Sequence, residues 1–366
     1  MKISIIMDQY NHPHAGTESQ VLKLVRGLTD LGWDVRFAVL RGTDYSRSGH
    51  FPVPVEELGV GSLSNPGSWW TVYRYARRLQ SEGIGLVHVF FNDASVLCPP
   101  MMRLAGIQTI ISRRDMGFWY SPLYLKALKL TGRWVSAAIC NSQAVARVTG
   151  ESENLPADKL HVIYNGYPNL GETPEPTDAS ASDAVRIGIV ANLRPIKRID
   201  DLIRAVGQVA ADGGNVQLSV VGGGDSAAYE ALARELGIAG RVAFHGSQPE
   251  PEHFIRDFDI AVLCSESEGF SNAIIEYMRC GKPVICTRTG GNPEIVSEGE
   301  NGFLIEVGDV EGLARHIATL TEHPELRRKM GEAGKLKVTR QYSVDTMLAH
   351  HVALYERLMA REVWAC

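Results

Sequence analysis

The sequence contains no apolar run approaching the roughly 20 residues that a membrane-spanning helix needs, so a transmembrane chain is not expected. It also has no C-x-x-C pair. Its six cysteines (Cys98, Cys140, Cys264, Cys280, Cys286, Cys366) are scattered, several inside apolar runs such as AVLCS and PVICT, which reads as reduced core thiols of a cytoplasmic protein. Positive charge is not in excess: 37 basic against 42 acidic residues give a net charge of -5. Wholesale binding of a nucleic-acid backbone is thereby disfavoured, and any anion site must be local. The opening MKISIIMDQ offers one lysine and too short an apolar stretch for a secretory signal. It reads as a first strand. Metal-ligand spacing is missing as well, since His12 and His14 stand two apart with no accompanying set; no metal and no cofactor are expected.

What is present is length and alternation. At 366 residues the chain exceeds one ordinary hydrophobic core. Short apolar runs alternate with longer amphipathic ones through Ile3–Met7, Gln20–Leu31, Val35–Leu40, Trp70–Gln80 and Leu86–Phe90. Such βαβ alternation predicts an α/β fold with a parallel sheet and functional loops at the carboxyl ends of its strands. The stretch 171–184, GETPEPTDASASDA, has no apolar periodicity and reads as a linker. Beyond it the alternation restarts at Val185–Val190, Asp200–Ala211, Val216–Val221, Ala227–Leu236, Ile260–Cys264, Asn272–Cys280 and Pro283–Cys286. The expected domains are 1–170, 185–343, and a helical 344–366 that can cross back to the first.

The strongest chemical signal is Glu268-Gly269-Phe270-Ser271-Asn272-Ala273-Ile274-Ile275-Glu276, placed after a strand and opening a helix. A Gly-Phe-Ser turn before a helix presents backbone N–H groups and the positive end of the helix dipole, which suits a phosphate. Glu268 and Glu276 are roughly 10 Å apart along the backbone. One carboxylate can accept from sugar hydroxyls and the other from ribose hydroxyls; two solvated acids at a helix start are the alternative. With the following RCGKPVICTRTGGNPEIV, this spacing resembles the donor site of the family-four (group 1) glycosyltransferases. HVIYNGY at 161–167, ANLRPIKRIDDLI at 191–203 and VVGGGDSAAYEALARELG at 220–237 resemble the same family.

The resemblance implies a GT-B fold, two Rossmann-like domains facing across a cleft. It implies a retaining hexosyltransferase-type enzyme that moves a sugar from a UDP- or GDP-sugar to a hydroxyl of a glycan or lipid-linked acceptor. Glu268 would orient the sugar and Glu276 the ribose, while Lys197, Arg194 and the amides of Gly269, Phe270 and Ser271 would stabilise the leaving diphosphate. The family's arginine position is Asn192 here, with Arg194 two residues on. Arg198 reads equally well as surface charge. Gly222, Gly223 and Gly224 formally match a dinucleotide fingerprint but resemble the family's glycine turn. In the first half, His14-Ala15-Gly16-Thr17-Glu18 resembles its Gly-Gly-x-Glu loop with one glycine replaced, leaving Gly16 and Thr17 to approach phosphates across the cleft.

Acceptor-side candidates are His88, Arg114, Asn141 and Ser142; His88 fits a strand-end core histidine as well. Where relatives carry a histidine, Ile110–Asp115 offers Ser112, Arg113, Arg114 and Asp115. Arg113 can contact sugar or anion and Asp115 can assist a hydroxyl, or the two form a structural pair. The aromatic and basic stretch Met116–Trp134 fits a membrane contact or a helix packed on its own domain. His350 and His351 read as surface groups. The family points to surface polysaccharide or glycolipid assembly, and so to a cytoplasmic protein with peripheral membrane contact at the inner face as one option. Rival readings are a nucleotide-sugar epimerase of similar fold and a non-catalytic nucleotide-sugar binder.

Overall fold

The computed structural model describes residues 1–13, 16–117, 120–168 and 184–362. Apart from Ala184, the predicted linker lies outside the described residues, as do His14, Ala15, Phe118 and Trp119. The chain divides into two compact units, Met1–Tyr167 with Val344–Cys366, and Pro168–Ser343.

The first unit is built on β1 (Lys2–Met7), β2 (Asp34–Val39), β3 (Val55–Glu57), β4 (Leu86–Phe90), β5 (Gln108–Arg113), β6 (Ala137–Cys140) and β7 (Leu160–Val162). They pair in parallel in the order β3-β2-β1-β4-β5-β6-β7. From Ile3 onward every residue of β1 is buried, as a strand covered on both faces requires. The helices Pro66–Ser81 and Asn92–Leu104 lay Val72, Ala76, Leu97 and Met102 on one face. Gly16–Asp30 and the last helix, Val344–Glu362, lay Val21, Leu24, Leu354 and Tyr355 on the other.

Two local features depart from the sequence reading. Helix Asn92–Leu104 contains Pro99 and Pro100, which hid it. An interior proline costs about 3 kcal/mol, whereas burying Val96, Leu97 and Met102 contributes about 1.5–3 kcal/mol each, so packing outweighs propensity. The second feature corrects the expectation for His351: His350 is exposed, but His351 is buried beneath the last helix. Its Nδ1–H donates to the Met347 carbonyl at 2.9 Å, and burial lowers its pKa from 6.5 to about 4. The unfolded chain therefore takes up this proton near pH 6.5 and the folded chain only near 4, so stability is lost as pH falls across that window. His351→Leu should gain up to about 3 kcal/mol on the parent between pH 7 and 4 in urea unfolding. Parallel pH profiles for the two proteins would assign the effect elsewhere.

The second unit holds β8 (Val185–Val190), β9 (Val216–Val221), β10 (Val242–Phe244), β11 (Ile260–Leu263), β12 (Val284–Thr287) and β13 (Gly302–Ile305), parallel in the order β10-β9-β8-β11-β12-β13. Helix Ile199–Ala211 buries Ile199, Leu202, Ile203, Val206 and Val209 against this sheet, the spacing of an amphipathic helix with one apolar face. Both sheets are doubly wound.

Candidate active site

In the second sheet the strand order reverses between β8 and β11, and ligands of such sheets sit beyond the carboxyl ends at that switch point. The loops leaving those two strands carry the charged candidates. After β8 the chain makes a tight turn at Pro195–Lys197; after β11 it runs through Ser265 to Ser271. Lys197 Nζ donates to Glu268 Oε1 at 2.6 Å, with both side chains largely buried. The Glu266 N–H donates to the Ile196 carbonyl at 2.8 Å. An ammonium is thus fixed at the switch point by a carboxylate from the opposite loop.

Two further loops close on this pair. Thr289 Oγ1, after β12, donates to the Glu266 carbonyl at 3.0 Å, and the Gly291 N–H donates to the Gly269 carbonyl at 3.1 Å. Gly290 has φ +51, and a Cβ there would stand 1.5 Å from the Glu268 carbonyl oxygen, so only glycine lets the two loops meet. After β9, a Cβ on Gly222 would stand 2.0 Å from the Ala191 carbonyl oxygen, and the Leu193 N–H donates to the Gly223 carbonyl at 2.8 Å. This brings the glycine turn against Asn192. Asn192 and Arg194 are exposed on the same loop as Lys197, whereas Arg198 turns to Asp201 at 2.6 Å.

Ser271 caps helix Asn272–Arg279, its Oγ accepting from the Ile274 N–H at 3.4 Å. Phe270 is buried edge-on against Tyr342. Glu276 stands half-buried further along the helix. Lys197, Glu268, the glycine turn and a helix N-terminus therefore converge within one unit. Sequence reasoning left out Thr289, Gly290 and Gly291, although TGG stood inside the quoted motif; their part is to lock the Glu268 loop.

Several first-unit candidates are taken up by partners within that unit. Gly16 and Thr17 open helix Gly16–Asp30, and Glu18 is buried, accepting from the Asn11 N–H at 3.0 Å. His88 is wholly enclosed, with Nδ1 on Tyr355 Oη at 2.7 Å and Nε2 on Ser112 Oγ at 2.8 Å. Desolvation, and then the nearby His351 and Arg114, push its pKa well below 6.5: it is a neutral core histidine. Arg113 is buried on Glu153 at 2.5 Å and 2.8 Å and also donates to Ser95 Oγ at 2.9 Å. The structural partner of Arg113 is therefore Glu153, not Asp115. Arg114 reaches Asn165, and burial lowers its pKa to about 10. Asp115, its pKa raised by burial, accepts from the Gly117 N–H at 2.8 Å. Asn141 Nδ2 donates to the Arg114 carbonyl at 3.1 Å, and Ser142 caps helix Gln143–Glu153.

A polar cluster missed in the sequence lies at the switch point of the first sheet, between β1 and β4. Asp8 accepts from the N–H groups of Asn92, Asp93 and Ala94 at 3.2, 3.0 and 2.7 Å. It does the capping that Phe91, at φ +67, cannot do with its own side chain. Burial raises the Asp8 pKa to about 6, close to where a carboxyl can exchange protons at neutral pH. Arg41 holds Asp93 at 2.8 Å, and Tyr120 Oη donates to Asn92 Oδ1 at 2.9 Å. The rule that functional loops follow strands was the available signal. Among the described residues no group of three or more His, Cys, Asp or Glu is placed to hold a metal ion.

Comparison with known proteins agrees with this geometry. The model of the family "Glycosyl transferases group 1" matches residues 176–337, and that of "Glycosyltransferase Family 4" matches residues 14–168. N-acetyl-alpha-D-glucosaminyl L-malate synthase of Bacillus anthracis is 33% identical over 176 residues, 48% of this chain and 46% of that protein. The chain thus spans less than half the length of that relative. An uncharacterized glycosyltransferase of Methanocaldococcus jannaschii is 25% identical over 385 residues, covering 97% of this chain and 99% of its own. Among solved structures, Anabaena HepE in complex with UDP superposes with a TM-score of 0.82 at 22% identity, over 98% of this chain and 100% of that one. Two family models that between them run along nearly the whole sequence, and a GT-B neighbour of full coverage, place the chain in the family-four glycosyltransferases, glycosyl transferases group 1, with the GT-B fold.

Proposed function

We propose that this protein transfers a sugar from a nucleoside-diphosphate sugar to a hydroxyl of a glycan or lipid-linked acceptor with retention of anomeric configuration, without metal or other cofactor. The observation that carries the reading is the Lys197–Glu268 pair at the switch point of the second sheet, beside the Gly222–Gly224 turn. Lys197, with Arg194, neutralises charge on the departing diphosphate, and the N-terminus of helix Asn272–Arg279 adds its dipole. Glu268 orients the sugar hydroxyls and Glu276 takes the ribose. The bond from the anomeric carbon to the diphosphate oxygen breaks, the acceptor oxygen bonds to that carbon on the same face, and the acceptor proton passes to the departing phosphate oxygen. That HepE was solved with UDP supports a nucleotide here and makes UDP-sugars the first to test. The reading goes with polysaccharide or glycolipid assembly and a cytoplasmic location at the inner membrane face.

Glu276→Ala is expected to weaken donor affinity by about tenfold or more, the worth of one or two charge-assisted hydrogen bonds, with the fold intact. A thermal-shift panel of UDP-, GDP- and ADP-sugars reads this directly, because ligand binding to the native state raises its apparent stability. Unchanged affinity in the variant would sink the ribose role. Release of an altered nucleotide sugar without acceptor would replace transfer by epimerisation, and binding with no turnover of any acceptor would replace it by carriage.

A further inference from the structure

Arg113 and Arg114 stand side by side at the carboxyl end of β5 and meet opposite surroundings. Arg113 is neutralised by Glu153 through two contacts. Among the described residues, the Arg114 guanidinium donates to the neutral carboxamide oxygen of Asn165 and to no carboxylate. The titratable groups that sense its charge, the Tyr167 phenol and the neutral His88 and His351, supply no negative charge at pH 7. The Asp115 carboxylate turns instead to the Gly117 N–H, in the field of Arg113 and Glu153. A guanidinium drawn out of water without an anion is costly, and a paired carboxylate ordinarily removes that cost. Here the chain provides none, and the side chain keeps an opening to solvent.

The polar groups beside Arg114 are also incompletely used. Gln20, on helix Gly16–Asp30 and 3% exposed, accepts from the Gly166 N–H at 2.9 Å through Oε1, while its Nε2 has no partner. Gly166 follows Asn165 in the chain, so the unused Gln20 amide and the Arg114 guanidinium meet at one short segment. Lys23, three residues along the same helix face, brings a second cation to it. Its Nζ donates to the Gly166 carbonyl at 2.9 Å and stands 4.9 Å from the centroid of the Tyr167 ring. Asn141 Nδ2 donates to the Arg114 carbonyl at 3.1 Å, and its Oδ1, on a side chain 3% exposed, is unpartnered. Water can satisfy an orphaned amide donor and an orphaned amide acceptor. It cannot neutralise Arg114. What does both is a ligand that carries an oxyanion and a hydroxyl together, the anion for Arg114 and the Gln20 amide, the hydroxyl for Asn141 Oδ1.

We propose that Arg114 and Gln20, with Asn141, form a subsite for the carboxylate or phosphate of an acidic sugar. That this sugar is a substrate rests on the transfer reading above; the subsite itself rests on the unpaired guanidinium and the unused amide groups. The neighbouring arginine is the contrast: Arg113 has its own carboxylate and is closed to a ligand, whereas Arg114 has a vacancy of the same chemistry.

Calorimetric titration of the whole protein tests it, with glucuronate, glucose 6-phosphate and glucose as free probes, each with and without saturating UDP, and with UDP-glucuronate against UDP-glucose. At least one acidic probe should bind about tenfold or more tighter than its neutral counterpart, the worth of charge-assisted hydrogen bonds to a desolvated guanidinium. A gain confined to UDP-glucuronate puts the anion on the donor; a gain of the free acidic sugars puts it on the acceptor. Arg114→Gln should erase the preference without weakening the neutral sugar, and Arg114→Lys should keep part of it, a point charge replacing a fork. Gln20→Glu keeps Oε1 for the Gly166 N–H and turns the unused amide into a carboxylate for Arg114. It should therefore also erase the preference, and should raise Tm where a ligand otherwise would. Equal affinity of acidic and neutral probes for the parent overturns the proposal, as does a preference that survives in both Arg114→Gln and Gln20→Glu. UDP binding without any acidic preference would leave the donor site standing and remove only this subsite, whereas acidic-sugar binding without UDP binding would do the reverse.

Discussion

Replacing Lys197 by glutamine is expected to lower kcat for sugar transfer by about 10²–10³-fold, the usual cost of removing one preorganised group aimed at charge that develops in a transition state. The side chain is held at 2.6 Å by Glu268 and stands on the loop between β8 and its helix, so its charge is positioned before the substrate arrives. Glutamine keeps most of the length and the hydrogen-bonding capacity while removing the charge. Glu268→Gln should give a loss of similar order by releasing the ammonium and weakening the hold on sugar hydroxyls. Because the two groups touch, the double variant should be little worse than the poorer single one. Steady-state kinetics with the donor found by thermal shift decides the matter. A Lys197→Gln enzyme within threefold of the parent would refute the role, and strictly multiplicative losses would mean that the pair does not act as a unit.

The second large effect concerns stability. Glu153→Leu should destabilise the first unit by about 3–5 kcal/mol, because it leaves the Arg113 guanidinium buried without its carboxylate. Arg113 and Glu153 are only 4% and 2% exposed and bond through two contacts. For a unit of this size that is a fall in Tm on the order of 10 °C. Arg113→Met/Glu153→Leu should recover most of it, since an apolar pair of similar volume carries no desolvation cost. Guanidinium unfolding of the three variants checks the cycle. If Arg113→Met instead kept its stability and lost transfer activity, the catalytic reading of Arg113 drawn from the sequence would be restored.

These two results separate residues that sequence placed side by side as candidates. Lys197 and Glu268 are 71 positions apart, yet their motif context was readable because each follows a strand and precedes a helix, the local pattern that builds a switch-point loop. Arg113 also ends a strand, but its direction was not readable. The pleat of β5 and the partner waiting in helix Gln143–Glu153 send it into the interior. His88 shows the same limit: it could face acceptor or core, and the last helix decided by bringing Tyr355 from 267 residues away. Asp8 was passed over because its role, capping a helix that begins 84 residues later, exists only once β1 and β4 are neighbours.

The sequence by itself determined the alternation of strands and helices, the two doubly wound sheets, and the local chemistry of the Glu268–Glu276 motif. Those are set by periodicity and by turn residues acting over a few positions. Only the tertiary structure decided which charges are spent on the fold and which stand at a site. Burial and pairing depend on what arrives from distant parts of the chain: Glu153 for Arg113, Tyr355 for His88, Met347 and a closed core for His351. It also decided that Leu123, Leu130 and Trp134 face outward, since an amphipathic pattern fixes that a helix has an apolar stripe but not what, if anything, covers it.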